Sequence, residues 1–196
     1  REGLARLYLR QGSYEESDSI FRALLEIKQR VLGEEHPSTL FTKHYIAYLY
    51  LVDQQYDQAE SLLVQTIAAK RRVLGDEQVG TQSSIRMLAE LYMAQGRSKE
   101  AELLLHPLLE TQRRVLGNAH HSTLLTMDLL LKLFHSTGRT DEARALTVEH
   151  LALRRQAAEG RNAGAAAMND YAMILLTCEP SELQNPKEAL RFAVAA

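Results

Sequence analysis

The sequence predicts an all-α solenoid, and three observations carry that expectation. The tripeptide Val-Leu-Gly occurs as Val31-Leu32-Gly33, Val73-Leu74-Gly75 and Val115-Leu116-Gly117, each copy 42 residues after the last. A fixed period of this length is the signature of stacked units, none of which buries its apolar face alone. Apolar residues between the copies recur at helical spacing, with no strand-like alternation of useful length. The composition agrees, with only 4 prolines, no tryptophan and many helix formers among 196 residues.

Each unit reads as helix, tight turn, helix. The first helix of unit one is marked by Leu4, Ala5, Leu7 and Tyr8, with counterparts Ile46, Ala47, Leu49 and Tyr50, then Leu88, Ala89, Leu91 and Tyr92. The turn Gln11-Gly12-Ser13-Tyr14-Glu15-Glu16-Ser17 aligns with the blocks beginning at Asp53, Gln95 and Thr137, so four units are visible by internal comparison. Gly12, Gly96 and Gly138 suit the left-handed conformation that ends a helix. Gln54 replaces that glycine in unit two, which predicts a strained or differently shaped turn. Acidic residues after the turn favour the positive N-terminal end of the second helix. In unit one that helix shows Ile20, Phe21, Leu24, Leu25 and Ile27 at helical spacing. The Val-Leu-Gly glycines stop it. His36-Pro37 and the polar runs near Thr81 and Ser122-Thr123 begin the next first helix.

After unit four the register loosens. The third tripeptide finds only Ala157-Ala158-Glu159 42 residues on, and Gly160-Arg161-Asn162-Ala163-Gly164 predicts an irregular connection before a fifth first helix from about Ala165 to Cys178. The expected organisation is one array with units at about 1–36, 37–78, 79–120 and 121–162 and a partial, irregular unit over 163–196. The apolar stretch Leu190, Phe192, Ala193 and Val194 at one end, and a helix already under way at Arg1, predict a piece of a longer protein.

The formal net charge of −2 gives no global reason to expect a nucleic-acid or membrane partner. The sequence shows no bilayer-length apolar run and no signal peptide. Cys178 is the only cysteine, which suits a reducing, cytoplasmic compartment and a buried structural thiol.

The stretch LARLYLRQGSYEESDSIFRALLEIKQRVLGEEHPSTL resembles the long tetratricopeptide repeat (TPR) of the kinesin-light-chain type, and the similarity runs from residue 1 to about 158. The resemblance implies a right-handed α-solenoid of about five TPR helix-turn-helix units. Its small-residue positions fall at Ala5, Ala47 and Ala89 on first helices and at Ser17, Ala59, Ala101 and Ala143 on second helices; Leu131 departs from the pattern. Units longer than the ordinary TPR's roughly 34 residues imply about one extra turn per helix and a deeper groove. The tail NDYAMILLTCEPSELQNPKEALRFAVAA is similar to the terminal repeat of bacterial arrays joined to a serine/threonine kinase domain. None of the kinase's own motifs is present.

The resemblance also implies a protein-interaction scaffold whose concave face is lined by first helices. By register the groove takes Glu2, Arg6, Leu9 and Arg10, then Phe41, His44, Tyr48, Leu51 and Val52. It continues with Ser83, Arg86, Glu90, Met93 and Ala94, then Leu125, Asp128, Lys132, His135 and Ser136, and finally Asn169 and Met173. Arg6, Arg10 and Arg86 suit a carboxylate, and Phe41, Tyr48 and Met93 suit an apolar peptide anchor. The competing expectation is that Glu2 and Arg6, Arg86 and Glu90, and Asp128 and Lys132, each four residues apart, simply pair along exposed helices. The paired asparagines frequent in kinesin-light-chain repeats are replaced here by His44-Tyr45, Arg86-Met87 and Asp128-Leu129, and only Asn169-Asp170 approaches them.

A basic feature also recurs, at Lys28 and Arg30, Lys70 to Arg72, Arg113 and Arg114, and Arg154 and Arg155. Cations in a last helical turn complement the helix dipole, which is the expectation preferred over an anion-binding stripe. His36, His120 and His121 are expected at helix starts, because His36 and His120 stand two repeats apart and cannot share a metal. No nucleophile, base and orienting group fall at matched spacing, so neither catalysis, a metal nor a cofactor is expected of this chain. The alternative role is a regulatory scaffold within a larger signalling enzyme such as a bacterial kinase.

Overall fold

The computed structural model describes residues 1–160, 164–178 and 181–195. These residues form the helices α1 (Glu2–Gln11), α2 (Tyr14–Leu32), α3 (Pro37–Val52), α4 (Tyr56–Leu74), α5 (Val79–Ala94), α6 (Ser98–Leu116), α7 (His121–Ser136), α8 (Thr140–Glu159), α9 (Ala165–Thr177) and α10 (Pro186–Ala195), with a short 3-10 turn at Ser181–Leu183. No strand occurs among them. Of the expected irregular connection, Arg161, Asn162 and Ala163 lie outside the described residues.

The chain divides into two compact units, Arg1–Leu104 and Leu105–Ala196. In the first, α1 packs on α2, α2 on α3, α3 on α4 and α4 on α5, and α3 also touches α5. That last contact sets two first helices beside each other. In the second, α7 packs on α8, α8 on α9 and α9 on α10.

The small residues sit at buried positions of the paired helices. Ala5, Ala47, Ala59, Ala89, Ala101 and Ala143 are buried, and Ser17 donates its hydroxyl to the carbonyl of Ala5 at 3.0 Å. A side chain larger than a methyl or hydroxymethyl would force these helix axes apart. In the first unit Ala5, Phe21, Ile46 and Leu49 form one core, with Phe21 stacked on Tyr45 at 4.9 Å between ring centres. In the second, Ala158, Tyr171, Ala172, Leu175, Ala189 and Phe192 form another, with the Tyr171 and Phe192 rings edge to face at 4.9 Å.

The recurring tripeptide ends each second helix by backbone geometry. Gly33, Gly75 and Gly117 have φ of 93°, 85° and 91°. For the first two ψ is 166°, a conformation open essentially to glycine alone. His36 and His120 then cap α3 and α7, their Nδ1 atoms accepting from the amides of Ser38 at 3.2 Å and Ser122 at 3.1 Å. Thr39 and Thr123 donate to the carbonyls of Gly33 at 2.8 Å and Gly117 at 2.9 Å. At α5 the equivalents are Gln78, Gly80 and Thr81; Gln78 makes no side-chain cap, and the buried Thr81 hydroxyl has no partner among the described residues. Gln54 takes the left-handed conformation at φ 57°, the only non-glycine to do so among the described residues, and the turn keeps its shape because Gln55 N–H still reaches the Tyr50 carbonyl at 2.8 Å.

α9 spans 13 residues where α3, α5 and α7 span 16. At the start of α10 the Glu188 backbone N–H donates to Asn185 Oδ1 at 3.1 Å, and the Asn185 side-chain Nδ2 donates to the Glu188 carboxylate at 3.0 Å. Cys178 is buried beside this turn, and burial pushes its thiol pKa up.

Candidate functional site

Four positions spaced one period apart near the ends of second helices, Lys28, Lys70, Gln112 and Arg154, turn inward. Lys28 donates to Glu2 at 2.6 Å, to Thr42 Oγ1 at 2.9 Å and to the Ser38 carbonyl at 3.3 Å, tying α2 to α1 and α3. Lys70 is fully buried and donates to the Gly80 carbonyl at 2.9 Å and Ser84 Oγ at 2.8 Å, tying α4 to α5. Arg154 donates to Asp128 at 2.7 Å, Asp170 at 3.2 Å and His150 Nε2 at 3.0 Å, tying α8 to α7 and α9. Gln112 is buried, and its carbonyl oxygen has no hydrogen-bond partner among the described residues. The expectation that these cations serve the helix dipole is therefore corrected for Lys28, Lys70 and Arg154, which cross between helices. The basic residues on the other faces fit surface pairing, as with Arg71 and Asp76 at 2.6 Å, Arg113 and Glu149 at 2.8 Å, and Arg72 with Glu35.

In the first compact unit several expected groove residues meet around Lys70. Its ammonium nitrogen lies 4.7 Å from the centre of the Phe41 ring. His44 Nδ1 is 3.0 Å from Ser84 Oγ, so His44, Ser84 and Lys70 form a connected chain. Arg86 pairs with Glu90 at 2.7 Å and keeps about a third of its side chain exposed. Arg6 lies 5.8 Å over Tyr45, Arg10 is exposed, and Tyr48 and Met93 are half-buried. In the second unit Asp128 is committed to Arg154; Lys132, His135 and Asn169 are exposed. Of the three expected pairs along a helix, Arg86 with Glu90 forms. Glu2 goes to Lys28 in place of Arg6, and Asp128 hydrogen-bonds Arg154 in place of Lys132.

Glu2, His44, Arg86, Asp128 and Asp170 occupy one register position. Where that position is acidic, it pairs with the inward-turned cation: Glu2 with half-buried Lys28, Asp128 and Asp170 with buried Arg154. At Lys70 it is His44, and the described residues give Lys70 no carboxylate partner. Burial brings the Lys70 pKa down to about 8. His44 is held down to about 3 by burial and then by the charges of Lys70 and Arg86, so it is neutral at physiological pH. Burial raises the Asp128 pKa even against the pull of Arg154. Among the described residues no group of three His, Cys, Asp or Glu side chains is placed to hold a metal, and no helix is long and apolar enough to cross a membrane.

A profile of the tetratricopeptide repeat matches residues 1–72 and 80–156. Among solved structures the chain is similar to a Podosopora anserina protein described as kinesin light chain with nearly identical TPR-like repeats. The identity is 28% over 99% of this chain and 92% of that one, with a TM-score of 0.72. A point-substituted form of that same protein gives 27% identity, 99% and 91% coverage and a TM-score of 0.73. BtubC (BKLC) from P. vanneervenii shares the fold at 20% identity, covering 98% of this chain and 73% of that one with a TM-score of 0.76. No curated protein sequence matched. Proteins built from these repeats generally mediate protein–protein interactions, and with more than half of its length matched the chain belongs to the tetratricopeptide repeat family, with kinesin-light-chain-like repeats.

Proposed function

We propose that the chain is an interaction scaffold that holds a peptide or protein segment along its first helices, and that α3 and α5 receive a carboxylate of that segment beside an apolar anchor. The observation that carries this reading is Lys70, a buried cation whose hydrogen bonds among the described residues go to neutral oxygens, at the junction where His44 stands in the place taken by Glu2 and Asp128 elsewhere. A buried charge without a counter-ion projects its potential outward more strongly than one already neutralised. Arg86 adds an accessible guanidinium that suits two-point carboxylate binding, and the Phe41 ring presents apolar surface nearby.

A peptide library displayed with acidic residues and with their amide counterparts tests this on the intact chain. Acidic peptides with an adjacent apolar residue are expected to be captured, and the combined Arg6→Ala, Tyr48→Ala and Arg86→Ala variant is expected to lose capture by about tenfold or more. Unchanged capture by the triple variant would remove the groove assignment.

A further inference from the structure

A second site is defined by comparing two junctions between neighbouring repeats inside the first compact unit. At the α4–α5 junction Glu60 accepts from Arg97 at 2.6 and 3.0 Å and from the Tyr92 hydroxyl at 3.0 Å. The Arg97 guanidinium lies 4.1 Å from the centre of the Tyr92 ring. A carboxylate and an aromatic face thus clasp a planar cation, the geometry that favours arginine over lysine. Arg139 stacks on Phe134 at 4.4 Å in the second compact unit, so an arginine on this ring position recurs.

One period earlier, at the α2–α3 junction, the acid and the ring are present as Asp18 and Tyr50, but Gln55 replaces the arginine. Gln55 turns its amide to Asp53, and a cleft of about 470 Å³ opens there, lined in part by Tyr14, Glu15, Asp18, Arg22, Tyr50 and Asp53. Three carboxylates and one guanidinium are among the groups lining the cleft; Arg22 pairs with Asp18 and donates to the Tyr50 hydroxyl at 3.3 Å. Arg22 enters from α2 itself, with Nε 2.6 Å from Asp18 and its guanidinium 5.3 Å from the Tyr50 centre, a looser stack than Arg97 makes. About half of the Arg22 side chain remains exposed.

We propose that this cleft binds an arginine side chain of a partner polypeptide, the incoming guanidinium lying on Tyr50 against Asp18 as Arg97 lies on Tyr92 against Glu60. Arg22 is the internal competitor for that place. The site is independent of the carboxylate-binding groove and stands or falls separately from it.

The test uses the intact chain at low salt, N-acetylarginine methylamide as probe and the neutral citrulline analogue as control, followed by amide NMR shifts. Saturable shifts on residues 14–22 and 49–55 are expected, on the order of millimolar affinity for a single side chain. The citrulline analogue is expected to bind at least about tenfold more weakly. Gln55→Arg, which supplies the missing internal arginine, is expected to abolish binding while leaving distant amide shifts unchanged. Arg22→Ala is expected to strengthen binding severalfold, and Asp18→Asn to weaken it. Equal binding of the citrulline analogue, full binding to Gln55→Arg, or shifts confined to other residues would each overturn the proposal.

Discussion

The Lys70 ammonium lies 4.7 Å from the centre of the Phe41 ring, and that ring occupies the space a side chain at Gly80 would need. A Cβ at Gly80 would stand 2.8 Å from the ring's outermost carbon. Alanine is the better helix former, by about 1 kcal/mol in a helix interior and less at the second residue of α5, so propensity alone predicts that Gly80→Ala stabilises α5. The packing predicts the reverse, because the ring must leave Lys70 to admit the methyl. The expected outcome is a loss of about 1–2 kcal/mol in urea denaturation. With Phe41→Leu as the background the same change should be close to neutral, a coupling that a double-mutant cycle would read. Additive effects would show that ring and glycine do not communicate.

The Gly33 and Thr39 relationship yields a contrast between equivalent threonines. Thr39 and Thr123 each bond a glycine carbonyl, whereas the buried Thr81 hydroxyl has no partner among the described residues. Threonine and valine share a shape, so the substitution isolates the hydroxyl. Thr39→Val should cost about 1 kcal/mol. Thr81→Val should be neutral or stabilising by up to about 1 kcal/mol, since it removes an unsatisfied buried group. Equal losses at both sites would contradict the hydrogen-bond assignment.

Helices, turns and period were legible because they depend on backbone needs that few residues meet. The positive φ values of Gly12, Gly33 and Gly138 are the local reason those residues mark boundaries. The destinations of the cations were not legible from helix-end position alone, since dipole complementarity fits any lysine or arginine in a last turn. Two registers were visible in the sequence, Lys28, Lys70, Gln112 and Arg154 in one and Arg30, Arg72 and Arg114 in the other, and it is the structure that separates the first, turned inward, from the second, exposed. The expected pairs along α1 and α7 failed for a related reason. A cation held in lower dielectric, Lys28 or Arg154, attracts Glu2 or Asp128 more strongly than the solvent-facing Arg6 or Lys132 does.

Gln54 carries the left-handed conformation that glycine supplies at Gly12, Gly96 and Gly138. A side chain in that region costs about 1 kcal/mol relative to glycine. Gln54→Gly is therefore expected to raise stability by ~0.5–1 kcal/mol, the gain being trimmed by the greater freedom glycine gives the unfolded chain. Gly96→Ala should lower stability by about 1 kcal/mol. Thermal melts of the two variants moving in the same direction would contradict this account of the turn.

The pH dependence of stability follows from two histidines kept neutral. His150 is fully buried, with Nε2 accepting from Arg154 at 3.0 Å and standing 3.4 Å from the Asp128 carboxylate; burial and then the Arg154 charge bring its pKa down to about 4 from the ordinary 6.5. In the unfolded chain it takes up a proton near its ordinary value, so between those limits the unfolded state binds more protons. Stability is then full above about pH 6.5 and declines as the pH falls toward 4. Between pH 7 and pH 5 the decline from His150 is about 2 kcal/mol. His44, held down to about 3, acts in the same direction. His150→Gln retains an acceptor for Arg154 but does not titrate, so its urea midpoint should change less between pH 7 and pH 5 than that of the unaltered chain. Identical slopes for the two proteins would show that His150 titrates normally in the folded state.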